Sequence, residues 1–364
     1  MISDFERLMD EAYGLPAGES KLAVLEEAAR IADALGNMEQ GYEARTEIVE
    51  TAIFNGFPLK ALVAFSWQLG QYDKNPENDS FDSSSLLWSY KWILSKSTCF
   101  PDITRNQIEE LLEDFRKRYR KHGYSDRTYY YYRFRIAMDT GYLDEAASHY
   151  AVFSATDRDY MSDCEACEQN QIVRYMVLLG EDEHALKMAA PILSGKMSCA
   201  EVPHVTLSKV LLPLHHLGRE EEAKNSQRKG YRLIKGNRDF LVNVAEHIAY
   251  LSLTSPLKGL ELLEKHMAEA LDHEDPLDQM LFHLQAAALL KQLAAQSAEK
   301  AQKAGAAASR LRLPARHPLQ GEEVDFSRLA VHYGKLAAAA AERFDRRNGN
   351  QYYFKQVQAA GIGG

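Results

Sequence analysis

Apolar residues recur along this chain at the spacing of an amphipathic α-helix. Two clear stretches are Ala23, Leu25, Ala28, Ala29, Ala32 and Leu35, and Leu207, Val210, Leu211, Leu214 and Leu217. The alternation of apolar and polar residues that is typical of a half-buried strand is almost absent. Short clusters of Gly, Pro, Asn and Asp interrupt the pattern, as at Gly36–Asn37 and Ser255–Pro256. The pattern predicts helices of roughly 12 to 20 residues joined by tight turns.

An internal repeat occupies the middle of the chain. Its copies are Gly141-Tyr-Leu-Asp-Glu-Ala146, Gly180-Glu-Asp-Glu-His-Ala185 and Gly218-Arg-Glu-Glu-Glu-Ala223, and their glycines are 39 and 38 residues apart. Glycine permits the chain to reverse after a first helix, and acidic residues favour the start of a second helix. The small alanine lets the two helices approach closely. We therefore expect a series of antiparallel helical hairpins.

The repeat resembles the tetratricopeptide signature, in which a Leu-Gly pair such as Leu217-Gly218 is followed by a small residue such as Ala223. The resemblance covers roughly residues 20 to 295, with a period slightly longer than the usual length of about 34. It implies an all-α fold, an α-solenoid whose stacked antiparallel hairpins form a right-handed superhelix. The chain is also similar to degenerate bacterial tetratricopeptide-repeat proteins in which a cysteine-rich stretch, a segment like Ala200–His204 and a tail like Phe344–Gly349 occur together.

Two stretches depart from the repeat and divide the chain. We expect the helical-repeat array to span residues 1–296, with a polar, turn-rich loop inserted near 74–86. Residues 297–324 lose the helical periodicity around two prolines and are predicted to form a linker. Residues 325–364 are predicted to form a capping helix and a tail, because an array exposes an apolar end unless its last element is atypical.

The composition limits the function classes. Of the 364 residues, 46% are hydrophobic and 26% are charged, which is ordinary for a folded protein. The net charge of -9 argues against a general nucleic-acid or membrane-surface role, because such binding needs concentrated Lys and Arg. The first residues lack the basic region of a signal peptide, and no apolar run is long enough for a membrane span. We therefore expect a cytoplasmic protein that binds neither nucleic acid nor membranes.

Four residues in the middle of the chain could form a metal site. They are Cys164, Cys167, Cys199 and His204. Cys164 and Cys199 are 35 residues apart, close to one repeat, so the two halves should lie at the starts of neighbouring first helices. Three thiolates and one imidazole match a closed structural zinc site. Because a spacing of five separates Cys199 from His204 around a helix, Cys199 would have to lie in the preceding turn.

The cysteines have two other interpretations. They could be unpaired buried thiols, which are common in protein cores, with His204 an ordinary residue at a helix start. They could also provide a regulatory disulfide between Cys164 and Cys167, although no thioredoxin-like strand and helix surround this pair. Cys99 lies far from the others in the sequence and is interpreted as a core residue.

A basic and aromatic stretch is a second candidate site. Arg116–Lys121 is followed by Tyr129–Arg135, and interleaved Arg and Tyr could hold phosphates and stack bases. Acidic residues such as Glu109 and Glu113 precede the basic run at helical spacing, so the stretch also fits a solvated helix face with internal ion pairs. We favour the ion-paired face, because the acidic chain lacks the charge asymmetry of nucleic-acid binders.

A third set of polar residues is predicted to lie on the first helices of the hairpins and in the stretches that follow them. The set comprises Asn170, Gln171, Arg174, Tyr231, Arg232, Asn243 and His247. In a solenoid the first helices line the concave surface, where such side chains could bind a peptide backbone or clamp a carboxylate. The same residues could equally be ordinary solvated surface.

The sequence has no arrangement that is typical of an enzyme, such as a glycine-rich phosphate loop, a nucleophile elbow or a zinc-protease motif. We therefore expect a scaffold, not an enzyme, that binds a protein or a peptide in its concave groove. One structural zinc ion is the cofactor that the sequence suggests. Two alternatives stay open: a peptide-sensing regulator that resembles bacterial tetratricopeptide receptors, and a zinc- or redox-dependent sensor built on the cysteines.

Overall fold

The structure is a computed structural model that describes residues 3–299, 311–322 and 325–362. These residues form helices and connecting turns, with no β-strand among them. The helices are α1 (Asp4–Gly14), α2 (Glu19–Ala34), α3 (Met38–Ile53), α4 (Pro58–Lys74), α5 (Ser83–Ser97), α6 (Arg105–Lys121), α7 (Arg127–Thr140), α8 (Leu143–Ala155), α9 (Glu165–Leu178), α10 (Asp182–Leu193), α11 (His204–Lys209), α12 (Leu211–His216), α13 (Glu220–Ile234), α14 (Leu241–Thr254), α15 (Pro256–Leu271), α16 (Pro276–Glu299), α17 (Phe326–Asn348) and α18 (Tyr352–Ala359), with a short 3-10 helix at Arg238–Phe240. No described helix is both long enough and apolar enough to cross a bilayer.

The three repeat glycines form the same kind of turn. Gly141, Gly180 and Gly218 have φ angles of 80°, 73° and 70°, in the left-handed region that glycine adopts without strain. In each turn the amide after the glycine donates to the carbonyl five residues earlier; at the second turn Glu181 donates to Met176 at 2.9 Å. This bond satisfies a carbonyl that the end of the helix leaves free. The turns that the repeat predicts between consecutive helices are therefore confirmed at these three positions.

The alanine of each repeat lies where the second helix of the hairpin packs closely. Ala146, Ala185 and Ala223 are all completely buried. A larger side chain at such a position would have to push neighbouring atoms apart, because protein interiors are close-packed. The small residue in the repeat is therefore explained by packing.

The described chain divides into two compact units, and the first contains α1 to α6 with parts of α7 and α8. It takes in the chain up to Cys99, Ile103–Arg133 and His149–Met161. Consecutive helices pack on each other here, α1 on α2, α2 on α3 and α3 on α4. Aromatic side chains fill much of the interior, as where Tyr90 meets Phe115 edge to face with ring centroids 5.6 Å apart.

The second unit contains Phe100–Asp102, Phe134–Ser148 and the chain from Ser162 onward. In this unit α9 packs on α10, α14 packs on α15 and α16, and α17 lies along α16. One apolar cluster of buried side chains extends from Val173 on α9 to Tyr333 on α17. The helix that was expected to cap the array thus shares a core with the helices before it.

The C-terminal helices dock on the first repeat turn within the second unit. Asn350 donates from Nδ2 to the carbonyl of Thr140 at 2.7 Å. Tyr352 lies directly over Gly141, where an added Cβ would be 2.3 Å from the Tyr352 Cγ. The corresponding position at Gly180 has no atom within 4 Å. Glycine is therefore required at position 141 both by its φ angle and by this contact.

The loop predicted near residues 74–86 is shorter in the structure. Residues 75–82 separate α4 from α5. The Asp82 carboxylate accepts hydrogen bonds from the amides of Ser84 and Ser85, at 3.0 and 3.2 Å. An aspartate in this position satisfies amides at the start of a helix, and it therefore starts α5 inside the stretch that was expected to be irregular.

The predicted linker, residues 297–324, is helical at its start, because α16 continues through Glu299. Residues 311–322 contain turns and no helix. Residues 300–310 and 323–324 of the predicted linker lie outside the described residues.

Candidate metal centre

Three of the four predicted metal ligands come together in the second unit. The Sγ atoms of Cys164, Cys167 and Cys199 all lie within 4.8 Å of one another. All three cysteines are free, with no disulfide between them. We refer to these three residues as the thiol cluster.

The start of α9 positions two of the thiols. Cys164 is the N-cap residue of this helix, and its sulfur accepts a hydrogen bond from the Cys167 amide at 3.3 Å. Cysteine here takes the place of the Ser, Thr, Asp or Asn that usually caps a helix. The Cys-x-x-Cys spacing puts the second sulfur about one turn further on, next to the first. The unsatisfied amides of the first turn favour negative charge at this position.

The turn after α10 brings the third thiol to the start of α9. Gly195 has a φ of 77° and reverses the chain after the helix end. The Cys199 amide then donates to the carbonyl of Val202 at 2.9 Å, which closes a tight turn around the third cysteine. Beneath the cluster, Val202 packs with the buried side chains of Ala166 and Ile192. This small apolar core joins the turn to α9 and so holds the three sulfurs together.

His204 is not part of the group in which all ligand atoms lie within 4.8 Å. It is the first residue of α11, and its ring lies parallel to that of Phe240 with the centroids 6.2 Å apart. Its Nδ1 atom is buried and has no hydrogen-bond partner among the described residues. Cys199 lies in the turn before this helix, as the spacing required.

The surroundings of Cys164 and Cys167 disfavour charge on their sulfurs in the absence of a cation. Burial raises the pKa of Cys164, and the amide hydrogen bond from Cys167 only partly offsets this. Burial and the two neighbouring sulfurs raise the pKa of Cys167 far above that of an ordinary thiol. Without a metal ion, the Cys164 and Cys167 thiols are therefore protonated at neutral pH and weakly nucleophilic. A bound cation reverses this preference, because a coordinating thiol loses its proton.

One side of the thiol cluster is open to solvent. Cys164 and Cys199 are exposed, whereas Cys167 is half-buried. An ion held by the three sulfurs would therefore rest on the apolar core below and face water above.

The basic stretch forms ion pairs within the first unit. Arg116 and Arg120 both contact the carboxylate of Asp126, and Arg118 binds Asp73 and Asp114. Burial would raise the pKa of Asp126, but hydrogen bonds from the two arginines lower it to about 2. These guanidinium groups are already paired with carboxylates, which supports the interpretation as an ion-paired face.

The aromatic half of the same stretch points into the protein. Tyr131 and Tyr132 are buried, with 1% of each side chain exposed, and their rings meet edge to face. Tyr129 is also buried and donates its hydroxyl to Glu113 at 2.6 Å. Base stacking needs exposed aromatic faces, which these residues do not offer in this structure.

Three residues of the predicted partner-binding set are buried in the second unit. Asn170 accepts a hydrogen bond from the Thr206 hydroxyl at 2.8 Å. Asn243 donates to the Ser208 hydroxyl at 2.9 Å. His247 has no exposed surface at all. Asn170 and Asn243 thus connect neighbouring helices, and the two ring nitrogens of His247 are buried with no hydrogen-bond partner among the described residues.

The other four residues of the set differ in their surroundings. Arg174 forms an ion pair with Asp139 on α7, a partner that the sequence analysis did not name although its separation of 35 residues is the one-repeat spacing that predicted the proximity of the cysteines. Tyr231 shares a hydrogen bond with His266 at 3.2 Å. Gln171 is half-buried, and Arg232 is exposed to solvent. Arg232 is thus the member of the set that is most accessible to a partner.

Comparison of the sequence with models of known protein families and with curated proteins finds no match. The thiol cluster and the hairpin turns are therefore the features of the chain that bear on its function.

Proposed function

We propose that this protein binds one thiophilic metal ion at Cys164, Cys167 and Cys199, and that zinc is the first candidate for this ion. The observation that supports the proposal is the convergence of three sulfur atoms within 4.8 Å from two separate stretches of the chain. Zinc–sulfur bonds of about 2.3 Å place the sulfurs of a tetrahedral site about 4 Å apart. The thiol cluster needs only small side-chain adjustments to reach that arrangement.

The donor atoms select the class of ion. Thiolate ligands favour zinc, Cu(I) and iron–sulfur clusters over magnesium or calcium, which prefer oxygen. Zinc is the first candidate among these ions, because it requires neither a redox change nor a strict coordination geometry. Binding would release the thiol protons, so the affinity should increase with pH. By joining the turn after α10 to the start of α9, the ion would also stabilise the fold.

Metal analysis of the purified full chain tests this proposal. We expect about one zinc per chain in the wild type and loss of that zinc in Cys167→Ser, because one of three ligands is removed. Cys99→Ser is the matched control, since Cys99 lies in the first unit and should not affect the zinc content. A wild-type zinc content below about a tenth of an equivalent, after reducing and chelator-free purification, would contradict the proposal.

We further propose that the helical hairpins bind a partner protein or peptide, as tetratricopeptide-repeat proteins do. Support comes from the three repeat turns, which share their φ angles, backbone hydrogen bonds and buried alanines. Hairpins of equal geometry can stack into a solenoid with an extended concave face, which suits an extended peptide. If the partner is a short signalling peptide, the protein is a peptide-sensing regulator.

Quantitative affinity capture from a native cell extract tests the partner-binding proposal. We expect Arg232→Ala to lose the specific partner, because an exposed guanidinium can clamp a partner carboxylate. Arg30→Ala is the control, since Arg30 is an exposed arginine on α2 in the first unit. If both variants capture the same proteins in the same amounts as the wild type, Arg232 does not belong to the binding face.

A further inference from the structure

The thiol cluster supplies three ligands, and no fourth His, Cys, Asp or Glu of the described residues has its ligand atom within 4.8 Å of all three sulfurs. Among their His, Cys, Asp and Glu side chains, only Cys164, Cys167 and Cys199 form a group with all ligand atoms within 4.8 Å. His204, the fourth ligand that the sequence suggested, is outside this group, and its ring lies beside that of Phe240. A metal ion at the cluster would therefore have a coordination position that the protein does not fill.

The unfilled position faces outward. Cys164 and Cys199 are exposed at the rim, whereas the apolar core of Ala166, Ile192 and Val202 closes the other side. A ligand from solution can therefore approach the ion without displacing any helix. Sites with three protein ligands and one exchangeable position are typical of zinc ions that bind an external molecule, whereas closed four-ligand sites are structural.

We propose that the metal-loaded thiol cluster is an open site and that an exogenous thiolate is its fourth ligand. This inference rests on the proposed metal binding. Three thiolates make a soft centre, and a soft or borderline ion in such a centre selects sulfur over oxygen donors. The thiolate could come from a low-molecular-weight thiol or from a cysteine side chain of a partner protein. The first source would make the site a small-thiol receptor, and the second would make it a docking point.

The binding step is a ligand exchange. The incoming thiol forms a metal–sulfur bond, a water molecule leaves the ion, and the thiol proton passes to solvent. No electrons are transferred, and the oxidation state of the metal does not change. The metal keeps its three cysteine ligands throughout, so the exchange is reversible.

Cobalt substitution of the full-length protein makes the fourth position visible. Co(II) replaces zinc in such sites, and its sulfur-to-metal absorption increases with each thiolate ligand. On addition of N-acetylcysteine, we expect this absorption to rise by about one third, as the number of thiolates goes from three to four. Imidazole at the same concentration is the control donor and should leave the absorption per thiolate unchanged. Metal analysis after dialysis verifies that the added thiol has not extracted the cobalt.

A His204→Ala variant tests whether the position is open. We expect its cobalt spectrum and its response to N-acetylcysteine to match those of the wild type. If the wild type does not respond to the thiol but the variant does, His204 fills the fourth position and the inference is overturned. If neither responds although both hold cobalt, the inference also fails, but the proposed metal site stands. Absence of bound cobalt in the wild type would overturn both.

The source of the thiolate is distinguished by the size of the probe. A blocked peptide with a single central cysteine is compared with N-acetylcysteine under the same conditions. Equal affinity for both probes supports a partner protein's cysteine, because a polypeptide then reaches the ion. Binding of N-acetylcysteine at concentrations at least about tenfold lower supports a small thiol, because the rim then excludes the longer probe.

Discussion

Single glycines decide how the hairpins turn, and one of them also decides how the C-terminus docks. Gly141 and Gly180 have φ angles of 80° and 73°, a conformation that costs a residue with a Cβ about 1–2 kcal/mol. Only the first of these two is covered by another side chain, that of Tyr352. The two positions therefore differ in their surroundings while they share the same backbone conformation.

We expect Gly180→Ala to lower the free energy of unfolding by about 1 kcal/mol and Gly141→Ala by at least about 2–3 kcal/mol. Both variants strain the backbone, but only Gly141→Ala adds a clash with another side chain. Urea denaturation of the full chain measures both changes. Gly180→Ala is the matched control, since no atom lies within 4 Å of its added Cβ. Equal losses in the two variants would mean that Tyr352 moves aside without cost.

The thiol cluster shows what could be predicted about the site at the level of residues. The spacing of 35 residues between Cys164 and Cys199 predicted their proximity, because neighbouring repeats place equivalent positions side by side. The side-chain direction of His204 could not be predicted in this way, since it depends on the turn that precedes α11. The burial of Asn170 was missed, although its partner, Thr206, lies 36 residues later, again close to one repeat.

At the level of elements, helix boundaries were predicted well where a cap or a glycine marks them. The capping helix was expected within residues 325–364 and occupies Phe326–Asn348. It ends at Gly349, whose φ of 74° is the usual geometry of a helix C-terminus. The end of α16 was missed. The linker was predicted to begin at residue 297, from two prolines that lie further along the chain, whereas the helix continues through Glu299.

The short helix α18 depends on one carboxylate from α17. Asp345 accepts hydrogen bonds from the amides of Tyr353 and Phe354, at 3.0 and 2.8 Å, and is buried. These amides belong to the first turn of α18, which has no side-chain cap of its own. A helix of eight residues is marginal in isolation, so this capping and its packing determine whether it forms.

We expect Asp345→Ala to expose α18 to local unfolding, because each buried amide left without a partner costs about 1–3 kcal/mol. Hydrogen exchange followed by mass spectrometry should show amides of Tyr352–Ala359 exchanging at least about tenfold faster. Glu342→Ala is the control, since Glu342 lies on the same helix in an exposed ion pair with Arg346. Unchanged exchange in Asp345→Ala would show that packing alone maintains α18.

At the scale of the whole molecule, buried histidines couple stability to pH. His247 on α14 and His283 on α16 are buried, and burial lowers the pKa of each to about 4. Glu246 partly opposes the shift at His247, and His332 reinforces the shift at His283. In an unfolded chain the pKa of histidine is near 6.5. Both side chains are therefore neutral in the folded protein at a pH where the unfolded chain binds protons.

The sign of the pH dependence follows from this difference in proton binding. Between about pH 6.5 and pH 4 the unfolded chain binds protons at His247 and His283 that the folded chain does not bind, so the free energy of unfolding falls as the pH falls. Above about pH 6.5 these groups contribute no further change. The loss should reach about 3 kcal/mol for each histidine, since one pKa unit corresponds to about 1.4 kcal/mol.

Urea unfolding of the full chain at about pH 7.5 and about pH 4.5 measures this fall in the free energy of unfolding. We expect His247→Gln to reduce the drop by about 2–3 kcal/mol, because glutamine does not titrate, even if the variant is less stable at both pH values. His184→Gln, at an exposed position on α10, should leave the drop unchanged. A drop in His247→Gln equal to that of the wild type would show that His247 takes up its proton without unfolding.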